Sequence, residues 1–394
     1  MADKATDIWG NNVEEAARQI APALAATARA AEIDRRVSDQ AICALRDQGL
    51  LRMLQPRRFG GRSTSMRAFT RSLAELAGSC ASTAWIASVA NHSAWMITRF
   101  PAAVAEHVWS ENRDAIVCGV FQDLGRVTVH DGGMLLTGKW PFCSGSHHAD
   151  WLLLGYRDPE KDGAEAARLA LVPRNMVQIE DSWHVSGLKG TGSNTVVAEQ
   201  VFVPREHTIA MVEALGQVAT RQFPDEAIFG VPPQLLFNTL AAGPMLGVAK
   251  AALNRVIASI SNRSIYTTIY TDASEAPTIH IQLGEAASLV DAAEMHAMRL
   301  SDEADRFGAS GIWPTAVERA RARMDNSMVA QFVARALELL INVNGASSFA
   351  EANPLQRIQR DFEIMRRHAS VATELSKEHY GRTLLGKPGV ILIA

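Results

Sequence analysis

The residues with most chemical reach in this chain are two histidines and a set of hydroxyls set among glycines. His368 follows Arg366 and Arg367. An imidazole there can donate or accept a hydrogen bond near neutral pH, so it is a candidate for acid–base work, with a helix-surface histidine as the plain alternative. His92 lies in an apolar stretch beside Asn91 and Trp95 and could bind, or deprotonate, a polar group of a substrate; a satisfied core histidine is the alternative. Ser144 stands in Trp140-Pro141-Phe142-Cys143-Ser144-Gly145-Ser146, at the end of an expected strand. Gly187-Leu188-Lys189-Gly190-Thr191-Gly192-Ser193-Asn194 is a second Gly/Ser/Thr loop, just before another. Such loops bring backbone N–H groups and hydroxyls to close range, which suits a flat heteroaromatic ring with polar edges. Trp85, Phe121 and Trp183 could line an aromatic pocket or simply pack the core.

Several other chemistries lack their residues. There is no GxGxxG, no GxxxxGK[ST] and no GxSxG, so dinucleotide-fold, P-loop and serine-hydrolase readings have no support. His147-His148-Ala149-Asp150 resembles a metal cluster, but adjacent strand residues face opposite ways, so a surface turn is the better reading and no metal is expected. Cys43, Cys80, Cys118 and Cys143 are widely spaced and form no CxxC, which fits a reduced, cytoplasmic protein. His296 falls in a helix stripe and reads as structural.

The elements that must position these residues come in three blocks. Ala-rich segments from Val13 to Ile33, a Ser38-capped run to Gly49, a stretch with Phe69, Leu73 and Leu76, and a short helix after Pro101 make the first hundred residues helical. Short β-rich runs follow (Ala115–Phe121, Arg126–His130, Met134–Trp140, Trp151–Tyr156, Leu169–Val172, Thr195–Val203), with Asp131-Gly132-Gly133 as a hairpin turn. No helix-length segment separates them, so the sheet is expected to be antiparallel. After Pro232-Pro233, stripes such as Leu246, Ala249, Leu253, Val256 and Ile260 predict a four-helix bundle, its last helix running through His368. The expected organisation is a helical domain over residues 1–112, a β domain over 113–210 and a bundle over 211–394: α+β, mainly α.

With 39 Lys plus Arg against 42 Asp plus Glu, the net charge of −3 and the absence of a basic block leave no expected nucleic-acid surface. Asp3, Lys4 and Asp7 argue against a signal peptide. The uncharged stretch from Leu76 to Thr98 carries Ser79, Ser82, Thr83, Ser88, Asn91, His92 and Ser93, so buried helix is expected rather than membrane span.

In order along nearly the whole chain, Cys80-Ala81-Ser82-Thr83-Ala84-Trp85, Trp140 to Gly145, Asp181-Ser182-Trp183, Gly190 to Asn194, Val201-Phe202-Val203-Pro204, and Pro354 to Asp361 with His368 resemble the two-component flavin-dependent monooxygenases built on the acyl-CoA dehydrogenase fold. The resemblance implies reduced FMN, or FAD, supplied by a separate NAD(P)H:flavin reductase. It also implies reaction with O2 through a C4a-hydroperoxide to hydroxylate a small substrate, here an aromatic one, and a homotetramer. It implies that Trp140, Phe142, Ser144 and Gly145 meet the flavin ring, that Thr191 and Ser193 lie beside it, and that Arg263 with Ser264, and Gly345, Ala346 and Ser347, reach the cofactor's tail. Arg263 could equally be a solvated helix residue. The same resemblance makes His368, His92 and Ser144 the catalytic candidates and Trp85, His92, Trp95, Phe121 and Trp183 the substrate-binding ones. Glu363 stands where many relatives place a second histidine. An acyl-CoA dehydrogenase would need a carboxylate base in Met365 to Ser370, which holds none, and Glu363 comes a helical turn too early. N- or S-oxygenation on the same scaffold is the other enzymatic alternative, and a non-catalytic flavin-binding scaffold the third.

Overall fold

The computed structural model describes residues 10–217, 222–261 and 263–391; Asp3, Lys4 and Asp7 lie outside the described residues. Among the described residues five helices come first: α1 (Gly10–Ile33), α2 (Asp39–Asp47), α3 (Met66–Ser79), α4 (Ala81–Ile97) and α5 (Ala102–Trp109). Ser38 caps α2 by accepting the Ala41 N–H at 3.2 Å, satisfying a donor the helix start leaves unpaired. The uncharged stretch becomes α4, buried at every residue but Val89. Ser88, Asn91 and His92 are tolerable there because they bond backbone: Ser88 Oγ donates to Leu240 O at 2.7 Å, Asn91 Nδ2 to Leu50 O at 2.9 Å, and His92 Nδ1 lies 2.8 Å from Ser88 O.

Among the described residues seven strands form one sheet: β1 (Val117–His130), β2 (Gly133–Cys143), β3 (Trp151–Arg157), β4 (Ala167–Pro173), β5 (Gln178–Glu180), β6 (Asn194–Pro204) and β7 (Thr208–Ala210), in the order β5-β6-β2-β1-β3-β4-β7. The β1–β2 hairpin turns at Asp131-Gly132, with Gly132 at φ 75°. Antiparallel pairing dominates, but β1 and β3 run parallel from Val117↔Trp151 onward. The expectation of a wholly antiparallel sheet fails here because β2 itself is the return path. The chain comes back along β2 on one side of β1, then crosses the sheet end through residues 144–150 to reach the other side. That crossing carries Ser144.

The remaining helices are α6 (Met211–Ala214), α7 (Pro233–Asn238), α8 (Ala242–Ser259), α9 (Pro277–Ser310), α10 (Ala316–Asn344), α11 (Pro354–Met365) and α12 (Thr373–Leu384). α8 to α11 form the bundle, with α3 against α8 and α12 against α10. Small residues allow the α3–α8 approach: a Cβ on Gly247 would sit 2.1 Å from the Ala74 carbonyl. One apolar cluster runs from Val13 to Val371 through all three blocks. The last bundle helix stops at Met365, so His368 lies in the turn beyond α11 and not within a helix as expected. Side chains of α10 capture that turn: Arg323 Nη2 donates to Ala369 O at 2.6 Å, Asn326 Nδ2 to Ser370 O at 3.1 Å and Ser327 Oγ to Val371 O at 2.6 Å. They occupy carbonyls of the segment that a continuing helix would have used internally.

Candidate active site

The end of β2 sits beside the Gly187–Asn194 loop, joined by the Gly145 N–H bond to Thr191 O at 3.0 Å. Phe142 adopts a left-handed φ of 65° and leaves 66% of its surface exposed. A non-glycine residue held there, with a large apolar ring in solvent, is a strained and unfilled position. Its ring meets Trp183 edge-on at 5.9 Å. Gly145, at φ 74°, lies so close under α4 that a Cβ would be 3.0 Å from Cys118 Sγ and 3.2 Å from Ile86 Cγ2. Together these leave an aromatic ledge with a flat backbone beside it.

Behind the ledge runs a chain of hydroxyls. Trp85 Nε1 donates to Ser144 Oγ at 3.2 Å, Ser144 Oγ and Ser193 Oγ are 2.7 Å apart, and Ser193 Oγ and Thr191 Oγ1 are 2.7 Å apart. Thr191 Oγ1 donates to Leu188 O at 2.8 Å, a carbonyl that also accepts the Trp183 indole N–H at 3.0 Å. Leu188 is itself left-handed, at φ 48°, and its N–H is held by Asp361 Oδ1 at 2.6 Å. Burial raises the Asp361 carboxyl to about 6, against the pull of the Leu188 N–H. Asn194 Oδ1 accepts the N–H groups of Ser182 and Trp183, both at 2.9 Å. Arg35 grips Asp181 through two bonds of 2.6 and 2.7 Å, tying that segment to the end of α1.

His368 packs edge-on against Trp85, centroids 5.4 Å apart. The Ser370 N–H donates to its Nδ1 at 3.2 Å, with Ser370 Oγ 2.8 Å away. An Nδ1 that accepts leaves the ring proton on Nε2. Desolvation lowers the imidazole to about 4, helped by His92 and Arg323. Yet the residue keeps exposed surface. A group that is desolvated and still reachable stands in a recess, and at neutral pH this one offers an uncharged Nε2–H.

Not every expected residue is here. His92 is 1% exposed, its Nδ1 2.8 Å from Ser88 O and its Nε2 3.0 Å from Leu236 O and 3.3 Å from Thr239 Oγ1. With Phe69 and Phe237 against its ring, it has no nitrogen free for substrate. Burial lowers it to about 4. Trp95 and Trp140 are wholly buried as well, their indoles donating to Ile228 O at 3.0 Å and Gly155 O at 2.7 Å. The side chains of all three are buried in the core, each with polar atoms near internal partners. Thr191 and Ser193 are buried too and reach the recess only through Ser144. Phe121 is half-buried against Phe237 at 5.6 Å.

Arg263 and the Gly345–Ser347 turn do meet. The guanidinium donates to Asn344 Oδ1 at 2.8 Å and Asn344 O at 2.9 Å, and Ser347 Oγ donates to Asn344 O at 2.8 Å. Ser264, Gly345, Ala346 and Ser347 are exposed, and space is open around the Gly345 Cα. This turn precedes the 12-residue α11 while His368 follows it, so a helix length of about 18 Å separates the two clusters. The two adjacent histidines take separate partners: His147 pairs with Asn194 and His148 with Asp39. Among the described residues no group of three or more His, Cys, Asp or Glu could hold a metal. His296 is bound to Asp325 at 2.7 Å with Arg299, between α9 and α10. The α10 grip on residues 369–371 and the Ser370–His368 bond escaped the sequence reading. A serine two residues past the histidine was the only local hint.

The carboxylates of α11 are committed elsewhere, Glu363 to Arg366 and Arg367 and Asp361 to Leu188. The site residues do fit a flavin: Phe142 offers an exposed aromatic ring, Ser144 Oγ has acceptor capacity to spare, and Trp85 links that serine to the ring of His368.

Comparison with known proteins agrees with this shape. Residues 11–105 match the family model of the acyl-CoA dehydrogenase N-terminal domain, and residues 239–373 that of its C-terminal domain. The oxygenase component of an FADH2-dependent resorcinol hydroxylase from Rhizobium sp. is 31% identical, over 93% of this chain and 92% of the relative. The solved structure of XiaF from Streptomyces sp. with FADH2 and glycerol superposes at a TM-score of 0.93 with 29% identity, covering 97% of each chain. That of 3-HSA hydroxylase from Rhodococcus sp. RHA1 superposes at 0.89 with 28% identity, over 97% of this chain and 99% of the other.

Proposed function

The chain belongs to the oxygenase components of flavin-dependent monooxygenases on the acyl-CoA dehydrogenase fold, and from that premise we propose that it hydroxylates a small phenolic or indolic ring. Reduced flavin and O2 are the co-reactants, and a separate reductase makes the reduced flavin. When bound, reduced flavin supplies the two electrons with which O2 delivers one oxygen atom to substrate and the other to water. The observation that carries the proposal is the contact of Trp85 with both Ser144 and His368, beside the exposed ring of Phe142.

The protein's work there is to bind, to orient and to keep water out. Phe142 and Trp183 make an apolar wall for a flat ring. Ser144 Oγ takes a hydrogen bond from it. The Nε2–H of His368 donates to negative charge developing on oxygen without itself being a cation. Support for an aromatic substrate comes from the indole and phenyl rings that line the recess and from the names of the relatives, which include indole-3-acetate monooxygenase and p-hydroxyphenylacetate 3-hydroxylase. Support for a homotetramer comes from apolar side chains left outside, including Ile281 and Met295 on α9, Leu375 and Leu384 on α12, and Tyr266 and Ile269, both about nine-tenths exposed. Four free thiols agree with a cytoplasmic setting.

The test is direct. Purified protein, an unrelated flavin reductase, NADH and air are incubated with phenols and indoles, and products are read by mass spectrometry. A product one oxygen atom heavier is expected from at least one ring. Hydrogen peroxide alone across the panel would overturn the reading.

A further inference from the structure

The hydroxyl chain behind Ser144 has a direction, and the direction matters. Its far end is Leu188 O, which can only accept, so Thr191 must spend its one hydrogen there. Ser193, 2.7 Å from Thr191 Oγ1, must then donate to Thr191, and Ser144, 2.7 Å from Ser193, must donate to Ser193. At the near end the Trp85 indole can only donate, and it donates to Ser144 Oγ. Ser144 is thus left with its hydrogen turned inward and one acceptor lone pair unused. Reversing the chain would leave the 2.8 Å contact between Thr191 and Leu188 O without a hydrogen.

A reduced isoalloxazine carries a hydrogen at N5 where the oxidised ring carries a lone pair. We propose that buried Thr191 and Ser193 are positioning residues that hold Ser144 as an acceptor and so make the site select reduced over oxidised flavin. This rests on the flavin reading of the recess. Thr191 and Ser193 touch no ligand themselves. They act by forbidding Ser144 from donating, which costs nothing against a reduced ring and turns an oxidised one away. The arrangement suits an enzyme that takes reduced cofactor from solution and must let the oxidised product go.

The test is anaerobic titration of the protein with reduced and with oxidised FMN and FAD, together with the midpoint potential of the bound flavin. Wild type is expected to prefer the reduced form. In Ser193→Ala or Thr191→Val the Ser144 hydroxyl can turn outward, so oxidised flavin binds more tightly and the preference falls about tenfold, which lowers the bound midpoint potential by about 30 mV. Thr191→Ser, which keeps the hydroxyl, should retain the wild-type ratio, an outcome that a mere packing role for Thr191 does not predict. Either of the first two variants decides the matter if the other fails to fold. Equal affinity of wild type for both states, or an unchanged ratio in the variants, overturns the inference while leaving the flavin reading intact. No binding of either state by wild type removes that reading as well.

Discussion

His368 is a neutral donor because of two neighbours: Ser370, whose N–H fixes the proton on Nε2, and the packing that lowers the imidazole to about 4. Two outcomes follow. His368→Ala should cut hydroxylated product by about 10²-fold or more, within the range for a positioned proton donor, while peroxide released per NADH rises. In wild type, product formation between about pH 5.5 and 8 should show no inflection from His368, since an ordinary histidine would titrate in that window and this one does not. Retention of full coupling in His368→Ala would mean the ring is only structural. His92 supplies a stability prediction instead. Its folded value of about 4 lies below the ordinary 6.5, so between those pH values the unfolded chain binds the proton and the folded one does not. Stability from this group is present above 6.5 and lost as pH falls toward 4, by up to roughly 3 kcal/mol. Denaturant melts of His92→Asn should therefore lose less stability than wild type over that range; parallel curves would show that His92 does not carry the effect.

At the scale of elements, the site depends on a loop pressed against a helix. The Gly187 Cα lies so near α11 that an added Cβ would sit 2.0 Å from the Arg360 carbonyl oxygen. Backbone on both sides cannot give way locally, so Gly187→Ala should push the Gly187–Asn194 loop off Asp361 and break the Leu188 contact that orients the hydroxyls. A loss of more than about 1–3 kcal/mol by urea melts, with weakened flavin binding, is expected. Wild-type stability and affinity in this variant would show that the loop moves freely. The crossing loop 144–150 is the other decisive element. Because β2 serves as the return path between parallel β1 and β3, its end must turn sharply across the sheet, and Phe142 and Gly145 take up the left-handed conformations of that turn.

Over the whole molecule, two expectations concern assembly and electron supply. Light scattering should give about four times the chain mass, and Leu384→Glu with Ile281→Glu, which puts charge on the exposed apolar faces of α12 and α9, should shift it to smaller species. A wild-type monomer would count against the tetramer. NADH alone should not support turnover, since the chain has no dinucleotide loop, and an unrelated flavin reductase should restore it. Rapid NADH oxidation by the purified chain alone would contradict a diffusing reduced flavin.

The chain's own residues disclosed much of this. Helix stripes, the Ser38 cap, the Asp131-Gly132 turn and the order of its segments follow from local periodicity and turn chemistry, which sequence records directly. Ser144, Trp85, Trp183 and His368 were singled out by residue type and motif context, and the fold brings Trp85 against both Ser144 and His368. What local pattern could not carry was direction and partnership. His92, Trp95 and Trp140 look as functional as Trp85 in one dimension. Only the fold shows that their polar atoms are met from inside by Leu236, Ile228 and Gly155, up to 144 residues away. The parallel β1–β3 pair, the end of α11 before His368 and the α10 grip on residues 369–371 are likewise long-range contacts. They decide which nitrogen of His368 holds its proton and which way Ser144 points its hydrogen, because a hydrogen bond's direction depends on both partners, and the second partner is chosen by the tertiary structure.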